Sequence, residues 1–120
     1  FPLMNGRWVP PGVLALQPWW VNLFENVATV QFVHRFTAYL LTAGVECLWI
    51  AVGHGTVAAQ ERTAAHLLLA ALALQVTLGI ATLVHTVPIG LAAAHQAGAL
   101  LVFSAALYLT HAVRQPIQLR

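Results

Sequence analysis

The sequence predicts an all-α integral membrane protein with three transmembrane helices. Three observations carry that prediction. Of 120 residues, 60% are hydrophobic and only 7% are charged, against roughly 25% charged in a soluble domain. From Thr63 to Val113 there is no Asp, Glu, Lys or Arg. That stretch is interrupted once, at Thr86-Val87-Pro88-Ile89-Gly90, where proline removes a backbone donor and glycine tends to end helices.

The elements follow in order. Phe1 to Gln17 reads as loop, because Pro2, Gly6, Pro10, Pro11 and Gly12 break regular structure. Leu16 to Val27 is a short amphipathic stretch whose Trp19, Trp20 and Phe24 suit the headgroup level of a bilayer. The first span runs from about 30 to 52, roughly 35 Å of helix and enough to cross a hydrocarbon core of about 30 Å. The charge-free stretch would make a single helix of roughly 76 Å, too long for one crossing. It therefore divides into spans at about 64–87 and 91–113, an antiparallel hairpin with a short connection. The expected organisation is an outer, periplasmic loop over 1–29 and a transmembrane half-bundle over 30–120.

Orientation follows from arginine. The 53–63 loop and the C-terminal tail share one side, with Arg62, Arg114 and Arg120. Arg7 and Arg35 belong to the other. The excess makes the first side cytoplasmic. The chain begins at Phe1 and has no basic segment followed by a short apolar run, so no signal peptide is expected. It reads as a piece of a longer protein, cut inside a loop. A formal net charge of +2 is too small and scattered for nucleic-acid binding. The single cysteine, Cys47, forms no disulfide within the chain. There is no CxxC, no C-x-x-C-H, no HExxH and no glycine-rich phosphate loop. No catalytic residue is assigned.

Histidine carries the chemistry. His34, His85 and His95 fall near the outer ends of the spans, and His54, His66 and His111 near the cytoplasmic ends. His34 stands about four residues into the first span and His95 about four into the third. Both helices start on the same side, so the two rings lie at similar depth. Two imidazoles at one depth on facing helices suit the axial positions of a haem iron. A histidine near a helix end can instead hydrogen-bond in the interface, but a matched pair inside two spans favours a functional role. Ala92, Ala93, Ala94, Ala97, Gly98 and Ala99 around His95 leave room for a haem face, or simply let helices pack closely. Arg35 suits a haem propionate, with snorkelling to headgroups as its plainer role. Gln31, one turn before His34, can orient a ring or a propionate. His85 reads as an interfacial or supporting group beside the turn. Glu46, about 18 Å along the helix from His34, reads as a protonated, hydrogen-bonded group facing Gln75 or Thr77, with a proton-relay carboxylate as the alternative. Glu25 reads as an interfacial charge or a helix N-terminal acid.

The segments FPLMNGRWVPPG, PWWVNLFENVATVQFVHR, QVTLGIATL and VPIGLAAAHQAGALLV resemble the C-terminal half of haem A synthases of the proteobacterial and mitochondrial type. The likeness covers nearly the whole chain in order and spacing. It implies two similar four-helix halves, with this chain holding the sixth to eighth spans as three helices of a four-helix haem-binding bundle half. It implies a b-type haem bound by His34 of the HR motif and His95 of the HQ motif, the pair that depth alone selects. It implies an oxidoreductase that converts haem O to haem A, with this portion serving electron transfer and inactive alone. The implied partners are the lipid bilayer, an N-terminal half, and oxidase assembly factors such as haem O synthase. The implied location is the bacterial inner membrane, or the mitochondrial inner membrane in a eukaryote. Two rival readings stay open: a bis-histidine electron-transfer cytochrome b, and a cofactor-free assembly or transport protein.

Overall fold

A computed structural model describes residues 2–114. Arg120, used above for orientation, and Phe1 lie outside the described residues. The order is a short 3-10 helix, Trp19–Leu23, followed by α1 (Val27–His54), α2 (Ala59–Val84) and α3 (Ile89–Arg114). All three α-helices are long and apolar enough to cross a membrane. This is an all-α integral membrane protein; among the described residues the only β pairing is an isolated bridge between Met4 and Arg7.

The chain divides into two compact units, one ending at Leu41 and the other beginning at Thr42. In the first, Met4 and Arg7 exchange backbone hydrogen bonds of 2.8 and 3.1 Å across Asn5 and Gly6. Both central residues have positive φ, 51° and 74°, as an Asn-Gly type I′ turn requires. The segment that follows is tied down by amides. Asn22 is fully buried. Its Oδ1 accepts from the Leu16 N–H at 2.9 Å, and its Nδ2 donates to the Leu16 and Trp19 carbonyls at 2.8 Å each. Asn26 donates to Asn22 Oδ1 at 2.9 Å and to the Gly12 carbonyl at 2.7 Å. Its own Oδ1 accepts from the Thr29 N–H at 3.2 Å, which makes Asn26 the N-cap of α1. Helix α1 therefore begins at Val27, slightly before the predicted span. Glu25 is exposed, two residues ahead of α1, and Asn26 is the capping residue. Trp8, Trp19, Trp20 and Phe24 are all more than half exposed.

In the second unit α2 and α3 are antiparallel. Their core lies at the end away from the connecting turn. Ala64, Ala65, Leu68 and Leu72 of α2 pack with Leu109 and Ala112 of α3 and with Val45 of α1. The alanines matter because small side chains let helix backbones approach in lipid, where packing rather than hydrophobicity drives association. Helix α2 starts at Ala59, where the Glu61 carboxylate accepts from the Ala58 N–H at 2.9 Å. That charged first turn precedes the apolar span, which is why the helix is longer than its hydrophobic stretch.

Two boundaries differ from the sequence reading. Helix α2 stops at Val84, not Val87. The Val87 N–H donates to Thr82 O at 2.8 Å and the Thr86 N–H to Leu83 O at 3.2 Å, the paired bonds of a Schellman motif. Gly90 does not end a helix; it lies in the first turn of α3. His54, between Gly53 and Gly55, is the last residue of α1.

Candidate functional site

Gln31 lies one turn before both His34 and Arg35 on α1, while His34 and Arg35, adjacent in sequence, point about 100° apart. Gln31 and His34 are exposed and Arg35 is half-buried. Arg35 Nη1 donates to the Pro2 carbonyl at 2.9 Å, so its head is turned onto the N-terminal segment. Phe32, one turn before Arg35, and Phe36, the residue after it, stack with ring centroids 6.5 Å apart. Phe32, Arg35, Phe36 and Tyr39, together with Met4 and Trp8, line a small cleft of about 220 Å³. Helical periodicity places His34 on the other side of α1 from that aromatic stripe.

His95 lies in the second unit, about 9 Å into α3, and is half-buried against α2. Its Nδ1 donates to the backbone carbonyl of Gln75 at 3.2 Å. A carbonyl can only accept, so Nδ1 carries a proton; in a neutral ring the lone pair then falls on Nε2. The ring rests on Gly79: a Cβ at that position would be 2.8 Å from His95 Cε1. Reciprocally, Gly98 of α3 is buried against the Gln75 amide, and a Cβ there would overlap its Oε1. That Oε1 is buried with no hydrogen-bond partner among the described residues.

The other histidines have separate roles. His85 caps α2 and its Nδ1 bonds to Ala81 O at 2.9 Å. His66 Nδ1 bonds to Arg62 O at 2.6 Å, and the ring meets Trp49 edge-on at 5.8 Å. His54 and His111 are exposed near helix ends. Glu46 is exposed on α1 and is not brought to Gln75 or Thr77. Thr77 donates to Ala73 O within its own helix. A mid-helix threonine satisfies itself this way at no cost in tertiary contact.

No group of three or more His, Cys, Asp or Glu that could hold a bare metal ion occurs among the described residues. A haem asks for less. It brings its own four equatorial nitrogens and needs only axial donors from the protein. An imidazole with Nδ1–H fixed on a carbonyl is the usual form of such a donor, and His95 makes that hydrogen bond. His34 belongs to the other unit, and its pairing with His95 is a matter of proposed function. Of the two residues that shape the surroundings of His95, sequence reasoning named Gln75 only as a partner for Glu46 and did not single out Gly79. A lone glycine in a charge-free helix was the available signal, because glycine in a helix interior costs about 1 kcal/mol relative to alanine.

Comparison with known proteins gives a consistent result. A family profile described as "Cytochrome oxidase assembly protein" matches residues 1–107. The chain is 49% identical to the Heme A synthase of Nitrosospira multiformis over 115 residues, covering 96% of this chain and 32% of that relative. It is 51% identical to the Heme A synthase of Azorhizobium caulinodans over 114 residues, covering 89% and 31%. The Heme A synthase of Nitrosomonas eutropha is 46% identical over 108 residues, covering 90% and 30%. The chain thus spans about a third of the length of these relatives. No solved structure matches it.

Proposed function

The chain belongs to the cytochrome oxidase assembly family that includes the haem A synthases, and on that premise we propose that it is a haem A synthase portion holding a b-type haem between His34 and His95. The observation that carries this reading is His95 itself. Its Nδ1–H is committed to the Gln75 carbonyl, so Nε2 is the donor nitrogen. A second imidazole, His34, is supplied by α1 from the HR sequence. With histidine at both axial positions, a bound haem would supply one-electron redox chemistry without an open coordination site.

The chain's own residues have distinct tasks in that scheme. His34 and His95 would hold the haem through their imidazole nitrogens. Gln31, one turn from His34, orients the ring or a propionate. Arg35 offers a guanidinium for a propionate at the outer surface, exchanging its present carbonyl partner for a charged one. The apolar helices exclude water and lower the local dielectric, which tunes the potential. The complete protein would oxidise haem O to haem A in the bacterial inner membrane, or in the mitochondrial inner membrane of a eukaryote. It would do so with an N-terminal half and with oxidase assembly factors such as haem O synthase as neighbours.

The test is a reduced-minus-oxidised absorption spectrum of the full-length protein in detergent, with His34→Ala and His95→Ala beside it. Each variant is expected to lose a low-spin b-type signal. Retention of the full wild-type spectrum by both would show that the pair has no ligand role.

A further inference from the structure

Helices α2 and α3 meet through two glycine notches, and the two are not equivalent. At one, Gly98 of α3 receives the flexible end of the Gln75 side chain. At the other, Gly79 of α2 receives an imidazole whose Cε1, Nδ1 and Nε2 would stand 2.8, 3.3 and 3.4 Å from a Cβ. All three atoms belong to one rigid ring, so the ring as a whole would have to move.

The position of Gly79 also has an electronic consequence. A helical Cα–Cβ bond leans toward the N-terminus, so a side chain at 79 would shield the carbonyl one turn earlier, at 75. Glycine leaves that carbonyl open, and His95 Nδ1 reaches it at 3.2 Å. We propose that Gly79 and the Gln75 backbone carbonyl are positioning groups for His95, setting its tautomer and ring plane as an axial ligand. The proposal rests on His95 being such a ligand. A hydrogen bond from Nδ1–H to a carbonyl makes the imidazole a stronger donor and so favours the ferric state. Helix propensity points the other way, since alanine is the better helix former at 79. Loss of function in Gly79→Ala would therefore not come from a weakened helix.

The experiment is a redox titration with electron paramagnetic resonance of the ferric state, on the full-length protein in detergent. Variants are Gly79→Ala, Gly98→Ala and His95→Ala. Gly79→Ala is expected to raise the midpoint potential and to change the g values of one low-spin haem. Gly98→Ala presses on the flexible Gln75 side chain rather than on the ring, and is expected to shift both readouts less than Gly79→Ala does. Wild-type behaviour of Gly79→Ala, or an equal shift in both glycine variants, overturns the proposal; the second would mean that only helix spacing matters. If His95→Ala keeps the full low-spin signal, the ligand reading itself fails, whatever Gly79→Ala does. If Gly79→Ala accumulates without haem, the wild-type protein decides. In its diamagnetic ferrous state with ¹⁵N-histidine, the His95 Nδ1–H is expected to exchange slowly with deuterated water. Exchange at the rate of an open imidazole overturns the proposal.

Discussion

Buried amides, more than hydrophobic side chains, hold the N-terminal segment in place. Asn22 makes three hydrogen bonds to backbone groups and accepts a fourth from Asn26, at complete burial. Truncation to Ala would strand those groups, each at a cost of about 1–3 kcal/mol when left unsatisfied. Asn22→Ala is expected to destabilise the segment by roughly 2–4 kcal/mol, read as a lower threshold for proteolysis between Gly12 and Asn26 in the detergent-solubilised protein. Asn26→Ala loses the cap of α1 and is expected to cost about 1 kcal/mol in thermal denaturation. His85 provides a contrast. Its Nδ1 is used by its own helix, on the Ala81 carbonyl. His85→Ala is therefore expected to leave the haem spectrum of the full-length protein unchanged, and loss of a b-type signal would count against that assignment.

At the scale of elements, the turn between α2 and α3 stores conformational strain. Thr86 and Val87 have φ of 58° and 60°, a region that costs a non-glycine residue about 1–2 kcal/mol. Glycine is the usual residue at the first of these positions in a Schellman motif. Thr86→Gly is expected to raise the melting temperature, with a net gain of about 0.5–1 kcal/mol after the added freedom of the unfolded chain. A fall would mean that the Thr86 hydroxyl, which donates to the His85 carbonyl, contributes more than the strain removes. The sequence reading placed this break correctly, from Pro88 and Gly90, but mistook its construction. Proline marks where a helix cannot continue; the carbonyls that close the preceding helix are chosen by backbone geometry. In the same way the start of α1 was legible to within a few residues from hydropathy, while its cap was not. An asparagine before an apolar run is common in loops, and only the folded backbone brings its amide to Thr29.

For the whole molecule, the arginine distribution sets the testable property. The 55–58 connection between α1 and α2 carries Gly55, Thr56 and Val57, beside Glu61 and Arg62 at the head of α2. A cysteine introduced as Thr56→Cys, with Cys47→Ser, is expected to react with an impermeant maleimide only after the membrane is opened from the cytoplasmic side. Labelling of intact cells would reverse the orientation. Exposed Trp8, Trp19 and Trp20 in the first unit suit a headgroup layer.

Membrane residence, three spans and the hairpin of the last two were legible in the chain alone. They depend on hydropathy, charge and position along a helix, which are properties of consecutive residues. Helix ends, the amide lattice around Asn22 and the seating of His95 on Gly79 depend on which backbone groups meet across space. A carbonyl in the middle of α2 looks like every other carbonyl in the sequence. Only the packing of α3 against it, made possible by one absent Cβ, gives it a partner and gives the histidine its tautomer.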